Sequence, residues 1–306
     1  MEQNNYALLL KEQGNYVLEL DGVYWYEYQG FIMPAYLPHC QPKVSLETAT
    51  RVLKISGRPF VRWDSDFNGV ETSEWWYILK KGTWDIENVP DKKKRWMIKQ
   101  GIKNFTTKPL TYEKVVKLCP DVASKAAERY KGRSIIETED VLVKRTNAAK
   151  KVPGVLEYIG CFEGEKLVSF SENYIQDNAV WLAIIRHDPE YLKKYSSYGL
   201  MNGILEYYLN NKKFKYVLDG SRSIHHRTEF QEHLISVFGF TKEYAKLHIA
   251  YSGLFGILVN MAYPFRNFIW KLADKFHNSI FNNTSAVLKQ EYIVQACQKI
   301  ISKMRL

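Results

Sequence analysis

The pattern of apolar and polar residues predicts a first half that mixes strands with helices. Two strand-like runs, YVLEL and VYWYEY, flank Asp21 and Gly22, a pair that supplies the positive φ angles of a tight hairpin. A short helix from about 46 to 54 is expected next. RPFVRWD and EWWYILK then predict two strands on either side of an Asp/Asn/Gly-rich turn.

The run DKKKRWMIKQGIKNF predicts an amphipathic helix with a basic side and an apolar side. The basic side chains share one narrow face, which we expect to be exposed: Lys92, Arg95, Lys99 and Lys103. The apolar side chains share another face, which we expect to be buried: Ile98, Ile102 and Phe105. Further helical segments over 111–131 lead to Pro153 and Gly154, which mark a boundary between two halves.

The second half has a clearer order of elements. VLEYIGCFE and KLVSFSENYI predict an antiparallel hairpin, and the apolar run AVWLAIIR predicts a central third strand. An amphipathic helix over 198–210 and a buried strand, KYVLD, follow. Thr228 and Gln231 fit a capping box for a helix that ends at Gly239, and YAKLHIAY predicts a last strand. The order from residue 155 onward is therefore β-β-β-α-β-α-β.

The most apolar stretch, residues 254–270, is too short and too polar to predict a membrane span. Further along, one helical face collects the apolar side chains Phe265, Phe268, Ile269, Leu272 and Phe276. Packing of this face onto the main body is the favoured interpretation. A peripheral membrane contact through 265–276 and an oligomer contact are the alternatives. A final helix, about 286–302, is expected to pack on the body as well.

Composition narrows the class of protein. A chain of 306 residues with 46% hydrophobic content can form a large globular core, and its start lacks the pattern of a signal peptide, so we expect a cytoplasmic protein. The four cysteines are widely spaced, which argues against a zinc site or a disulfide framework. The net charge of +10 favours an anionic partner: a phosphate-bearing cofactor, a nucleic acid or an acidic membrane.

The helix that follows the third strand begins with a candidate anion site. Free backbone N–H groups at a helix N-terminus can receive a phosphate. The residues Lys194-Tyr195-Ser196-Ser197-Tyr198-Gly199 resemble the pyrophosphate-binding loop of the GNAT acyltransferase superfamily, with Lys194 in place of its Arg or Gln and Ser197 in place of its first glycine. The resemblance implies an acyl-CoA donor held by Lys194, Ser197, Gly199 and Leu200. An ordinary helix start with Lys194 in solvent is the alternative.

The order of elements over 155–251 also resembles the core of a GNAT fold. TSEWWYILK followed by the basic helix resembles the Fem-like branch, in which two GNAT-like domains are fused. The implied fold is α/β (α+β), with a mixed sheet flanked by helices and an amphipathic helical tail. The implied domains are an amino-terminal α/β domain at 1–150 that contains the basic helix 92–103, a GNAT-like domain at 151–253 and the tail at 254–306.

A transfer to an amine needs a base, and the strand 179–186 carries no carboxylate. The candidates on neighbouring segments are Glu172, Asp219 and His226, with Ser221 as a donor to a developing oxyanion. The alternative interpretation is that the loop at 219–226 is an ordinary polar turn before a capped helix. Histidines 225, 226 and 233 lack the spacing of a zinc site, so no metal is expected.

The leading hypothesis is an acyltransferase. It would move an acyl or aminoacyl group from acyl-CoA or aminoacyl-tRNA to an amine on a small molecule, peptide or sugar. The first alternative is a non-catalytic protein whose basic helix binds nucleic acid, such as tRNA, or an anionic membrane. The second is a glycosyltransferase with an Asp-x-Asp metal site at Asp64 and Asp66.

Overall fold

The computed structural model describes residues 4–69, 72–129, 136–224, 229–276 and 279–304. Within these ranges, eleven strands form one mixed sheet. The strands are β1 Val17–Leu20, β2 Val23–Tyr28, β3 Phe31–Pro34, β4 Phe60–Ser65, β5 Trp75–Lys81, β6 Thr106–Leu110, β7 Leu156–Glu163, β8 Lys166–Gln176, β9 Ala179–His187, β10 Tyr216–Ser221 and β11 Thr241–Tyr251.

Helices cover both faces of this sheet. They are α1 Asn5–Glu12, α2 Leu46–Ser56, α3 Lys92–Asn104, α4 Tyr112–Arg129, α5 Glu139–Lys151, α6 Ser196–Leu205, α7 Glu229–Phe238, α8 Gly253–Ala262, α9 Arg266–Phe276 and α10 Ser279–Met304. A π-helical turn, Glu206–Asn211, extends α6, and a 3-10 turn, Tyr263–Phe265, joins α8 to α9.

Strands from the two halves of the chain alternate in the middle of the sheet. The order is β1-β2-β3-β4-β11-β5-β10-β9-β8-β7-β6. Strand β5 lies between β10 and β11 and is antiparallel to both. The sheet thus crosses the boundary predicted at residue 150, and the division into domains stays a proposal.

The two faces of the second half of the sheet have separate cores. On one face, α1, α4 and α5 pack their apolar side chains on β7 and β8, for example Leu142 near Phe170. On the other face, α3, α6 and α7 pack around Ile98, Ile204 and Leu234, all fully buried. This arrangement confirms the predicted mixed sheet flanked by helices. Helix α6 packs over β6, β7 and β8, and α7 contacts β5.

The local patterns that rest on turns and caps are confirmed. Asp21 and Gly22 both have positive φ between β1 and β2. The order β7-β8-β9-α6-β10-α7-β11 is the predicted one, and α7 ends at Gly239, which has φ +66°. Thr228, the predicted cap of that helix, lies outside the described residues.

Helix α3 forms as predicted, but its buried face is narrower. Asp91 caps it by accepting from the N–H groups of Lys93 and Lys94. Ile98 and Phe105 are buried, whereas Ile102 is 43% exposed, so its predicted burial is wrong. The reason is a close helix crossing at Gly101, since a Cβ there would lie 2.6 Å from the backbone nitrogen of Gly199 in α6. The crossing turns Ile102 outward.

The tail departs from the favoured interpretation. Phe265, Phe268 and Phe276 are each more than half exposed, so packing of that face on the body is wrong for these three; Ile269 and Leu272 are partly buried. The final helix does pack as predicted, because Ile293 of α10 lies in a core with side chains of β5, β10 and β11. Among the described residues, no helix is long and apolar enough to cross a bilayer.

Candidate active site

Strands β9 and β10 start side by side and then separate. They pair in parallel over only three positions, from Ala179–Tyr216 to Trp181–Leu218. Beyond these, β9 continues along β8 to His187, and β10 continues along β5 to Ser221. The strands therefore open into a V at their carboxyl ends, the edge of a parallel arrangement where ligands commonly bind.

Each arm of this V carries a β-bulge. On β9, Glu172 pairs with Ile184 and Asn173 with Leu182, so Ala183 is an extra residue. On β10, Leu218 pairs with Leu79 and Gly220 with Ile78, so Asp219 is an extra residue. A bulge takes backbone groups out of the ladder and re-aims a side chain. The two irregularities thus lie on the two strands that form the opening, one in the β8–β9 ladder and one in the β5–β10 ladder.

An indole closes the base of the V. The Nε1–H group of Trp181 donates to the carbonyl oxygen of Asp219 at 3.1 Å, directly above the last paired position. Gly220, which follows, has φ +147° and lies against the same indole. A side chain at Gly220 would be strained in that conformation, so the glycine allows the bulge to form here.

Asp219 has the properties of a base that works near neutral pH. Burial raises the pKa of its carboxyl group to about 6, and the Gln231 amide, which donates to Oδ2 at 3.0 Å, opposes the rise. The same amide donates to the carbonyl oxygen of Ser221 at 3.1 Å. Gln231 thus ties the end of β10 to α7. A carboxyl group poised near neutrality in a strand opening is a candidate for proton transfer.

An apolar cavity of about 260 Å³ lies beside the V between α6 and α7. The lining comes from the end of β9, the 3-10 turn Pro189–Lys194, the first turns of α6 and the length of α7: Ile185, His187, Leu192, Ser197, Leu200, Met201, Phe230, His233, Leu234 and Phe238. Burial lowers the pKa of His187 to about 4, so its ring is neutral, with Nδ1 2.8 Å from the Ser169 hydroxyl. The described lining residues of the cavity are mostly apolar and include no carboxylate, lysine or arginine.

The residues at the start of α6 have three different environments. Ser197 lines the cavity, and Leu200 is buried behind it with its side chain at the cavity wall. Ser196 is fully buried, and its hydroxyl has no hydrogen-bond partner among the described residues. An unpaired buried hydroxyl at a helix N-terminus is a polar group with capacity for a ligand.

Lys194 and Gly199, also predicted as donor contacts, have partners within the protein. The Lys194 ammonium pairs with Glu163 at 2.7 Å and lies over the Tyr191 ring. Gly199 is buried at the crossing with Gly101. The structure thus gives Gly199 a packing function, since a Cβ there would press on the Gly101 backbone at 3.0 Å. Their roles toward a donor stay predictions.

Glu172, the carboxylate predicted on β8, lies on the face of the sheet opposite to α6 and α7. It is fully buried and accepts from the Arg145 guanidinium at 3.0 Å and from the hydroxyls of Tyr158 at 2.7 Å and Tyr174 at 3.0 Å. The Tyr174 ring in turn packs 5.7 Å from Trp181. Glu172 therefore supports the indole at the base of the V, and we do not assign it a proton-transfer step.

Only some of the basic side chains of α3 are free to contact a phosphate. Lys92 and Lys103 are exposed, whereas Lys99 pairs with Glu87 at 2.7 Å and Arg95 donates to the Val89 carbonyl at 2.6 Å. The predicted contacts of these four residues with nucleic acid or phosphate stay predictions. His226 lies outside the described residues.

Several residues at the V were absent from the sequence prediction. His187 ends the apolar run of β9. His233 lies on α7 at the cavity, where burial lowers its pKa and the nearby Lys94 ammonium lowers it further. The Lys94 ammonium donates to the Ser236 carbonyl at 3.0 Å, so α3 brings a positive charge to this end of α7. The sequence offered one signal for His187, because it is a polar residue at the end of a buried strand. The sequence offered no such signal that Lys94 would lie near this site.

The two aspartates of the Asp-x-Asp hypothesis lie in different environments. Asp64 is buried and accepts from Tyr77 and from Gln41, and burial raises its pKa. Asp66 pairs with Lys246 at 2.6 Å, which lowers the pKa of its carboxyl group. With one carboxylate committed to a buried hydrogen-bond network and the other to a lysine, the geometry disfavours a shared cation.

One cluster in the described part of the chain has the residue types of a metal site. His39, Cys40 and Asp177 bring ligand atoms within 4.8 Å of one another. Lys215 already pairs with Asp177 at 2.6 Å, and burial raises the pKa of the Cys40 thiol to about 11, which disfavours the thiolate that binds metals. The cluster lies at the paired end of β9 and β10, away from the V, and we assign no metal to it.

Comparison with known proteins supports the fold. The chain is similar to the structure of FemX, with a TM-score of 0.51 and 8% identity over 78% of this chain and 89% of that one. It is similar to L-PGS from Bacillus licheniformis, with a TM-score of 0.51 and 11% identity over 97% and 98%.

A third similar structure is the C-terminal domain (DUF2156) of an Agrobacterium fabrum protein assigned as a lysylphosphatidylglycerol synthetase. Its TM-score is 0.53 and its identity 11%, over 85% of this chain and 91% of that one. No protein-family profile and no curated protein sequence matches the chain. The similarities confirm the Fem-like fold that was predicted from the sequence.

Proposed function

We propose that the protein transfers an acyl or aminoacyl group from a phosphate-bearing donor to an amine at the V between β9 and β10. The observation that carries the proposal is the bulge at Asp219, which holds a carboxyl group with a pKa of about 6 at the end of a central strand. The fold supports the same reaction class, although fold alone does not determine function.

The donor is proposed to enter along the cavity between α6 and α7. Its phosphates would lie at the start of α6, where Ser196 and Ser197 begin the helix and the dipole favours negative charge. Lys94 adds a positive charge at the α7 side. The apolar lining suits the extended arm of a thioester donor. The competing donor is aminoacyl-tRNA, whose terminal adenosine would enter the same cavity.

The proposed reaction uses Asp219 twice. Its carboxylate takes a proton from the acceptor amine as the nitrogen attacks the acyl carbon, and a C–N bond and an oxyanion form. Backbone N–H groups freed at the Ala183 bulge are the proposed donors to that oxyanion. When the intermediate collapses, the carbon–sulfur or carbon–oxygen bond to the leaving group breaks, and Asp219 returns a proton to the leaving thiolate or alkoxide.

A ligand-dependent thermal shift tests the donor site. Coenzyme A, acetyl-CoA, a long-chain acyl-CoA and charged tRNA would be titrated separately, and one of them is expected to stabilise the protein by about 2–3 kcal/mol at saturating concentration. Ser197→Glu places a negative charge in the cavity and should abolish the shift. Thr50→Glu, on an exposed site of α2, adds the same charge as a control.

The outcomes separate the donors and decide the proposal. A shift with the coenzyme A compounds that Ser197→Glu removes supports a thioester donor, and mass spectrometry of amine acceptors then identifies the product. A shift with charged tRNA alone supports aminoacyl transfer. If none of the four compounds stabilises the wild-type protein, or if Ser197→Glu binds as well as Thr50→Glu, the proposed site is wrong.

A further inference from the structure

The first two tail helices expose a long apolar stripe. Helices α8 and α9 and the 3-10 turn between them keep right-handed helical backbone angles at Ala262, Tyr263 and Arg266, so the chain from Gly253 to Phe276 is nearly one helix. The exposed stripe consists of Leu254, Leu258, Met261, Phe265 and Phe268. Their spacing of four, three, four and three residues puts them on one face.

The stripe is larger than scattered surface residues would produce. Leu254 is 74% exposed, and the other four members are between 53% and 67% exposed. With about 100 Å² exposed per side chain, the stripe presents about 500 Å². This is the size of the largest apolar patch on a typical soluble monomer, and such a patch is often functional. Ile257 and Phe276, both more than half exposed, extend it.

The helices that carry the stripe are fixed to the body. On their other side, Val259 and Ala273 are buried, and Trp270 packs edge-on against Tyr292 of α10. Phe255 stacks on Phe60 at the start of β4 with ring centroids 6.1 Å apart. The exposed face is therefore held in place by contacts on the opposite face.

The charges around the stripe are mostly basic. Lys271 and Lys275 are exposed on α9, and the Lys275 ammonium lies 5.3 Å from the Phe276 ring. The Arg266 guanidinium lies 4.5 Å from the Tyr263 ring. Asp274 is the one acidic residue between 253 and 276. An apolar face with basic flanks is the pattern of a helix that lies in a membrane interface.

We propose that this stripe docks on the surface of a bilayer that contains anionic phospholipid. The apolar side chains would enter the boundary between headgroups and acyl chains, while Lys271 and Lys275 contact lipid phosphates. A second copy of the chain is the competing occupant. It is disfavoured because two stripes face to face would bring together the basic flanks of two chains that each carry a net charge of +10.

Vesicle co-sedimentation tests this inference. The full chain would be mixed with phosphatidylcholine vesicles and with vesicles in which about one third of the lipid is phosphatidylglycerol. We expect binding to the anionic vesicles. The double variant Phe265→Glu/Phe268→Glu should lower the partition coefficient by at least about tenfold, because it replaces two inserted rings with charges.

The chain offers a matched control. Leu46 and Ile55 are 65% and 54% exposed on α2, so Leu46→Glu/Ile55→Glu removes a similar exposed apolar surface elsewhere and should leave partitioning unchanged. Lys271→Ala/Lys275→Ala should reduce the preference for anionic over neutral vesicles by about tenfold or more. Because the substituted residues are exposed, these variants should keep the fold of the wild type.

Three results would overturn the proposal. The first is a wild-type protein that sediments with neither type of vesicle. The second is a Phe265→Glu/Phe268→Glu variant that binds like the α2 control. The third is a wild-type dimer in sedimentation velocity that this variant converts to monomer without any vesicle binding, which would assign the stripe to a second copy. The readout is partitioning, so it does not depend on the transferase proposal.

Discussion

Two carboxylates on nearby strands, Glu172 and Asp219, have opposite environments. Glu172 accepts from a guanidinium and two tyrosine hydroxyls, so its oxygens are committed to partners within the protein. Asp219 has one amide donor, and burial raises its pKa to about 6. The difference shows that a carboxylate's partners, more than its place in the sequence, separate a structural group from a candidate for proton transfer.

The largest expected effect is on stability, at Glu172. Glu172→Ala leaves the partly buried Arg145 guanidinium without its counter-ion, and we expect a loss of about 3–5 kcal/mol in the free energy of unfolding, measured by urea denaturation. Glu163→Ala, which breaks an exposed pair with Lys194, should cost less than about 1 kcal/mol. If Glu172→Ala instead lost little stability but all transfer activity, Glu172 would be the catalytic carboxylate and the comparison would be reversed.

The next effect concerns activity, at Asp219. Asp219→Asn keeps an acceptor for the Gln231 amide but cannot take a proton, so kcat/KM for transfer should fall by about a hundredfold or more. The wild-type rate should also decline as the pH drops through about 6, because the carboxyl group becomes protonated. Full activity in the asparagine variant, with an unchanged pH profile, would remove Asp219 from the mechanism.

The smallest effect is a pH-dependent change in stability. The pKa of Asp219 rises from its ordinary value of 3.8 to about 6 on folding, so burying the ionised form opposes folding. Well below pH 4 the group is protonated in both states. The penalty grows between about pH 4 and pH 6, where the unfolded chain is ionised and the folded protein is still protonated, and it is constant above that range. Asp219→Asn should therefore be more stable than the wild type by about 1–2 kcal/mol at pH 8 and by little at pH 4. If the variant and the wild type were equally stable at both pH values, the carboxylate of Asp219 would be well solvated in the folded protein.

The sequence was sufficient where local patterns determine structure. Asp21 and Gly22 determine a hairpin through their own φ angles, and the alternation of apolar residues predicted the order β-β-β-α-β-α-β. Asp219 was predicted as a site residue from its position after a buried strand. What makes it distinctive, the bulge and the contact with Trp181, depends on β5 and β9 and leaves no mark in the surrounding sequence.

Contacts between distant segments account for most of what the local patterns did not predict. Gly199 matched a phosphate-loop pattern, yet its neighbour in space is Gly101, nearly a hundred residues earlier. The same crossing exposes Ile102, which periodicity assigned to the interior. For the tail, helical spacing correctly placed Phe265 and Phe268 on one face, but spacing does not show whether anything covers that face.

The position of β5 also has a consequence for how the chain reaches its native state. β5 ends at Lys81, and the two strands that flank it begin at Tyr216 and Thr241, so both of its ladders close loops of more than a hundred residues. During synthesis, both edges of β5, which contains two tryptophans, therefore stay unpaired until most of the chain has emerged. The protein should therefore fold slowly and late, and its two halves, made as separate polypeptides, should each aggregate unless they are mixed.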